Sequence, residues 1–489
     1  MKANPEESTT KKIARNFSWL IFGEMLAKVF GFILMVYIAR ILGSEAFGWL
    51  NFSQAFLAYL LIIVDSGFPM FGAREIAKAK EKVSVISLNV ILIRLLISFI
   101  VFLSSAGLVW NLNIPYEIKM LFIGTFLYVF FKAFEPFWIY QGLEKMEYVG
   151  MMRIMQAGLN LILILMFIRS AHDLARIPLL MFASGMTVNV LYLFVLYRYF
   201  ASLKIDHFIP KEWANYYSGA FPLGVSAILI QVYYNLDTIM LGFMSTQEKV
   251  GLYNAAYKIF LAILFILGLW HSTVFPVISQ KLDKDRLQAA AFLGKYFRLT
   301  ILACVPVSFI ATLVAPAIIM LVFGGRYEGA TIALQILIWN LIPIAISGTY
   351  GTLILIPLGL TKEVLWAVGC GALLNVILNF MLIPAYGFVG ASFATLMTEI
   401  AVAVVTYFMA IRVLKVEFIG HTLKALFGSM ISCAAAVLIL FLFPGMGFFI
   451  KHIISGSLFL FVYLIFLVLA GDGPFLMEFA REILSARKG

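Results

Sequence analysis

The stretch Tyr233–Phe260, YYNLDTIMLGFMSTQEKVGLYNAAYKIF, sets an acid, Asp237, and a base, Lys258, inside two long apolar runs. Water-soluble proteins do not carry such runs, and membrane helices seldom carry such ions without a use. Outward from it the same pattern continues to both ends. Of the 489 residues, 63% are hydrophobic and 12% charged, against about 45–50% and about 25% in a soluble globular chain. The excess falls in runs of about 20 residues, the length that spans a bilayer core of about 30 Å.

The chain therefore reads as an all-α polytopic membrane protein. Fourteen spans are expected, near 16–38, 46–68, 84–108, 119–141, 149–168, 177–197, 215–242, 250–275, 297–322, 332–357, 363–383, 388–411, 425–443 and 452–470. Residues 72–82, GAREIAKAKEK, read as a short surface helix. The first apolar run follows Lys11, Lys12 and Arg15, is too long for a signal-peptide core, and reads as a retained helix. No soluble domain fits in any loop.

Direction follows from the positive-inside rule. With the N-terminus in the cytoplasm, 25 of the 36 Lys and Arg fall on the inner side and 7 on the outer. Lys28, Arg94, Lys132 and Lys258 lie within spans. Both termini are then cytoplasmic. The net charge of +11 is a topology signal, and nucleic acid is not an expected partner. The three cysteines sit in apolar runs and read as buried small hydrophobes. The five histidines show no metal-ligand spacing. No G-x-x-x-x-G-K-[ST] loop is present, so ATP-driven pumping by this chain is not expected. No catalytic residue, metal or bound cofactor is expected.

The opening stretch has an internal partner. ILGSEAFGWLNFSQAF (Ile41–Phe56) parallels MLGFMSTQEKVGLYNAAYKI (Met240–Ile259), with Gly43 answering Gly242, Gly48 answering Gly251 and Asn51 answering Asn254. The offset is about 200 residues, or six spans. An even number of spans keeps the repeat in one orientation, so the halves relate by an axis along the membrane normal. Two six-helix lobes follow, residues 1–198 and 199–412, with two more helices and a C-tail in 413–489. Two facing lobes suit alternating access; a scaffolding protein without a pathway is the plainer alternative.

A charge at mid-bilayer costs about 2.5–3.5 kcal/mol. Four uncompensated bases would cost roughly 10–14 kcal/mol on that scale, so they must pair or meet water or a ligand. Glu24 and Lys28 stand at i,i+4, and Lys132 and Glu135 at i,i+3. Arg94 has no local acid, and Asp65 is its expected partner. Lys258 has none either. Two readings stay open for it: a structural pair with Asp237, or an anion-binding base that Asp237 holds when the site is empty. Glu399, midway down its span, reads as a protonated core acid or as part of an ion-coupling site. The prolines of FPLG (Phe221–Gly224) and Pro306 and Pro316 predict bends.

Four motifs carry a family likeness: ARILGSEAFGWLNFSQAF (Ala39–Phe56), VGLYNAAYKI (Val250–Ile259), LVFGGRYEGATIALQIL (Leu321–Leu337) and LNFMLIPAYGFVGASFATLMTEI (Leu378–Ile400). In this order they resemble the polysaccharide biosynthesis flippases of the multidrug/oligosaccharidyl-lipid/polysaccharide (MOP) exporter superfamily. The resemblance implies a two-lobed fold of 12 or 14 helices in the cell membrane. It implies movement of polyprenyl-diphosphate-linked oligosaccharides from the inner to the outer leaflet, with coupling to a proton or sodium gradient. It places Lys28 and Lys258 toward the diphosphate. Asp237, Glu24, Asn51 and Asn254 join them as substrate-binding candidates, and Glu399 and Asp237 are candidates for ion coupling. Membrane lipids, a glycan polymerase or glycosyltransferases are the implied partners. A multidrug or cation antiporter and a peptidoglycan-precursor flippase remain as alternatives. Four embedded bases favour an anionic substrate over an organic cation.

Overall fold

A computed structural model of the chain describes residues 9–201, 205–416, 419–443 and 445–478. All regular structure among these is helical. The α-helices are α1 (Thr9–Asp65), α2 (Phe68–Lys78), α3 (Val83–Trp110), α4 (Tyr116–Phe126), α5 (Tyr128–Phe134), α6 (Phe137–Gly142), α7 (Met146–Phe167), α8 (Arg176–Tyr199) and α9 (Trp213–Met244). They continue with α10 (Gln247–Lys284), α11 (Arg286–Val322), α12 (Ala330–Leu337), α13 (Leu341–Ser347), α14 (Thr361–Tyr386), α15 (Phe388–Ala410), α16 (Ile419–Leu442) and α17 (Phe448–Leu469). A π-helical stretch, Gly348–Leu355, follows α13. The chain divides into two compact units, residues 1–251 and 252–489.

Twelve segments among the described residues are long and apolar enough to cross a membrane, not fourteen. The difference lies in two places. The expected spans 16–38 and 46–68 fall within one 61-residue segment, Ser18–Lys78. Its helix α1 has 57 residues and leaves helical geometry at Gly43, with φ 77° and ψ 174°. Only glycine enters that region freely. The expected span 215–242 falls in α9, which is not among the twelve and whose side chains at 225–234 lie outside the described residues.

In the first unit, α1 packs on α7, α9 and the α3–α5 hairpin, while α8 closes on α4, α5 and α7. The expected surface helix starts earlier than read, at Phe68, and buries Phe68, Phe71, Gly72 and Ile76. These fall on one face of a 3.6-residue period, which packs on α6 and α9. Trp138 and Tyr140 complete that core. Asn89 of α3 fastens the segment ahead of α9. Its Nδ2 donates to the His207 carbonyl at 2.7 Å, and its Oδ1 accepts from Ile209 N and Trp213 Nε1, both at 2.9 Å.

In the second unit, α11 carries α12, α13, α16 and α17, and α14 packs along α15. Asp285 caps α11, its carboxylate accepting from Leu287 N and Gln288 N. Tyr350, Leu353 and Ile354 of the π-helical stretch enter a core with Ile278 and Leu293. Pro306 and Pro316 lie inside α11, Pro222 inside α9 and Pro276 inside α10, with each helix continuing past them. Cys304 is buried as read, but Cys370 is exposed. In a membrane both the packed and the lipid-facing surfaces are apolar, so hydropathy does not separate them.

Candidate functional site

The first unit holds two groups of ions. In one, the Glu24 and Lys28 side chains of α1 are 3.9 Å apart. Arg153 of α7 also reaches Glu24, Nη1 to Oε2, at 2.6 Å. One carboxylate meets two cations here, and Lys28 is 61% exposed. Both cations are part-exposed, so the group faces outward from the packing.

In the other group, Arg94 of α3 is fully buried and its Nη2 donates to Asp65 Oδ1 at 2.5 Å. Lys132 Nζ lies 2.6 Å from Glu135 Oε2 and 3.8 Å from Asp65 Oδ2. Two acids meet two bases, so this group is neutral. Its Arg94 Nε and Nη1 have no hydrogen-bond partner. Phe137 links the groups, with the Lys132 ammonium 5.6 Å and the Arg153 guanidinium 6.0 Å from its ring centre. The pairs Glu24–Lys28, Lys132–Glu135 and Asp65–Arg94 are those expected from the sequence. The contacts of Arg153 with Glu24 and of Lys132 with Asp65 were not among them.

Asp237 is buried on α9 of the first unit, and Lys258 is half-buried on α10 in the second. Asn51 is buried and donates to the Phe47 carbonyl of its own helix at 2.8 Å. Asn254 and Glu399 are buried in the second unit. The glycines of the repeat meet in the first unit. A methyl on Gly48 would stand 1.8 Å from the Gln247 carbonyl oxygen, and one on Gly251 would stand 1.9 Å from that of Ser44. Each glycine lets the partner backbone approach where no other residue fits.

The second unit has its own ionic cluster. Asp472, just beyond α17, is buried between Arg298 of α11 and Lys424 of α16. The Arg298 guanidinium lies 4.1 Å from the Phe475 ring centre. Burial raises the Asp472 carboxyl's pKa, but hydrogen bonds and charge from Lys424 and Arg298 outweigh it and hold it below the ordinary range. A groove of about 790 Å³ in the same unit is lined by Ile263, Leu267, Trp270, Leu299, Val307 and other mostly apolar side chains. Among the described residues, no group of three or more His, Cys, Asp or Glu is placed to hold a metal.

Long apolar helices, with embedded ions that answer one another across helices, define a multi-pass membrane protein of transporter type. The fold is shared with solved membrane transporters. The solved "Lipid II flippase MurJ, inward closed conformation" matches with a TM-score of 0.72 and 17% identity, over 93% of this chain and 99% of that one. An inward-facing multidrug resistance MATE family transporter of the MOP superfamily matches with a TM-score of 0.64 and 15% identity, over 80% of this chain and 97% of that one. The chain belongs to the polysaccharide biosynthesis protein family, whose model matches residues 13–281, more than half of its length. It is 26% identical over 376 residues to the "Putative O-antigen transporter" of Escherichia coli (strain K12), covering 74% of this chain and 88% of that protein. The protein is a transporter of this family and not an enzyme.

Proposed function

We infer that the protein flips polyprenyl-diphosphate-linked oligosaccharides from the cytoplasmic to the outer leaflet by alternating access, for surface polysaccharide biosynthesis. The observation that carries the reading is a pair of part-exposed cations, Lys28 and Arg153, that share Glu24 on helices that are otherwise apolar. Such a group is costly in a membrane unless it meets water or an anion. The relative named for O-antigen transport and the fold shared with a lipid II flippase support the substrate class. On this reading Lys28 and Lys258 engage the diphosphate, Asn51 and Asn254 the neighbouring sugar, and Glu399 or Asp237 takes part in coupling to a proton or sodium gradient. Membrane lipids surround the protein, and a glycan polymerase or glycosyltransferases act beside it.

The finer topology belongs to the same reading. A 57-residue helix would be about 86 Å long at about 1.5 Å per residue, close to three bilayer cores. The break at Gly43 supports two crossings there, and the 32-residue α9 supports another. Fourteen crossings give lobes 1–198 and 199–412, the pair in 413–489, and both termini in the cytoplasm. A reporter fused after Arg286 that reads as external overturns this topology.

The activity is tested in proteoliposomes by leaflet transfer of a polyprenyl-diphosphate-linked oligosaccharide. Lys258→Ala is expected to abolish transfer while the protein inserts and folds, and Lys258→Arg to retain part of it. The double change of Lys258 and Asp237 to Ala is expected to be stable and inactive. Full activity of the double variant would reduce Lys258 to a structural role. Export of cationic dyes with no transfer of the lipid-linked glycan would favour the antiporter reading.

A further inference from the structure

His271 of α10 plays no part in the reading above. Its Nε2 is buried and has no hydrogen-bond partner. The imidazole fills a notch at Gly348, where a methyl would stand 2.2 Å from Cε1, 2.8 Å from Nδ1 and 3.0 Å from Nε2. Only the glycine hydrogen leaves room for the ring. Gly348 opens the π-helical stretch Gly348–Leu355, and π geometry is rare and frequent at functional positions. The imidazole also faces the Tyr296 ring of α11, with centres 6.1 Å apart. Next to it, Trp270 stacks on Tyr296 at 5.5 Å and donates to Thr300 Oγ1 at 2.9 Å. Five residues on, Pro276 interrupts the ladder of α10. The half-buried imidazole, with its Nε2 enclosed, therefore sits where α10 meets an irregular backbone stretch.

We propose that His271 is a proton-binding site, and that its protonation releases α10 from the π-helical stretch at Gly348. A neutral imidazole carries one donor and one acceptor; a protonated one carries two donors and a charge. In the closed notch Nε2 has nothing to donate to. The elements that touch the ring offer no counter-charge, since neither Arg286–Val322 nor Gly348–Leu355 contains Asp or Glu. Their titratable groups are Tyr296, which faces the ring, Arg286 at the start of α11, Lys295 and Arg298, engaged by Glu478 and Asp472, Cys304, and Tyr350, whose hydroxyl donates to the Val416 carbonyl. On α10 itself the acids are Glu248 and Asp283, many turns away along the helix. A buried cation without a partner is far costlier than a buried neutral ring. The proton and the closed notch therefore exclude each other. By linkage, proton binding favours the open notch, and opening tightens proton binding by the same factor. A proton bound on one side of the membrane and released on the other then drives a change in the second unit. Its use in transport rests on the flippase reading; the proton site itself does not.

The test follows the five histidines by nitrogen NMR in the full-length, histidine-labelled protein in nanodiscs, with His271→Asn to assign the signal. Gly348→Ala expels the ring from the notch. The His271 signal is expected to titrate about one pH unit higher in Gly348→Ala than in wild type, a tenfold gain in proton affinity, while the other four do not move. Identical titration of His271 in the two proteins overturns the proposal. Leaflet transfer is read separately. His271→Asn is expected to remove its dependence on a pH gradient, and a gradient dependence equal to wild type also overturns the proposal. Absence of transfer in wild type would count against the flippase reading alone, because the titration stands without it.

Discussion

In the first unit the ions join several helices, some from within a helix, as Arg94 and Arg153, and some at a helix end, as Asp65 and Glu135. Asp65, Arg94, Lys132 and Glu135 form a neutral group around a fully buried guanidinium, and Glu24, Lys28 and Arg153 form a second, more exposed group in which two cations share one carboxylate. In the second unit the Arg298–Asp472–Lys424 cluster sits where the chain leaves α17, and the polar pairs inside the helices include neutral ones such as Asn379 with Asn375, at 2.9 Å. Desolvation explains what separates them. A deep ion is tolerated where acids and bases balance, and a shallower one where it keeps access to water or a ligand. By that rule Arg94 serves the structure, and Lys28 with Arg153 is available to a substrate.

The comparison breaks first at Arg94. Arg94→Ala removes a fully buried ion and leaves the half-buried Asp65 with Lys132 alone; breaking a fully buried pair costs about 3–5 kcal/mol, which sets the upper limit here. The melting temperature in detergent is expected to fall more for this variant than for any other named here. A fall no larger than that of Lys28→Ala would erase the distinction between the two groups.

Asp472 sharpens the other side of the comparison. Asp472→Asn weakens charge-assisted hydrogen bonds worth about 1.5–3 kcal/mol each, so it lowers the melting temperature at pH 7. The folded carboxyl titrates below its unfolded value of about 3.9. Its contribution is therefore complete above about pH 4 and is lost as pH falls through the folded pKa. Melting curves from pH 7 down to pH 3 are expected to show the gap between wild type and Asp472→Asn closing only at the acid end.

Gly48→Ala tests the close approach shared by the two motifs of the repeat. Its methyl collides with the Gln247 carbonyl, and overpacking of this kind costs about 1–3 kcal/mol. Gly251→Ala is expected to cost a similar amount, since its methyl meets the Ser44 carbonyl in the same way. A large difference between the two melting temperatures would argue that the repeat is not matched in structure.

Lys28→Ala is expected to have the smallest effect on stability, at most about 1 kcal/mol, because the pair is long and exposed. Its effect on leaflet transfer is expected to be large. A variant that melts like wild type and fails to move the lipid-linked glycan would place Lys28 on the substrate side of the comparison.

The sequence by itself determined the membrane class, most helix positions and the ion pairs set on one helix turn. These depend on composition, on the length of apolar runs and on i,i+3 and i,i+4 spacing, all of which are local. It also matched Gly48 to Gly251, because a repeat is visible as text; that the two backbones approach closely there came from the structure. Only the tertiary structure decided which helices answer one another: Arg153 with Glu24, Lys132 with Asp65, and Arg298 with Asp472 across 174 residues of chain. It also decided that Cys370 is exposed and that His271 sits in a glycine notch. The rotation of a helix about its axis fixes these contacts. In a membrane protein, apolar residues cover the packed and the lipid-facing sides alike, so hydrophobic periodicity leaves that rotation open until the helices pack.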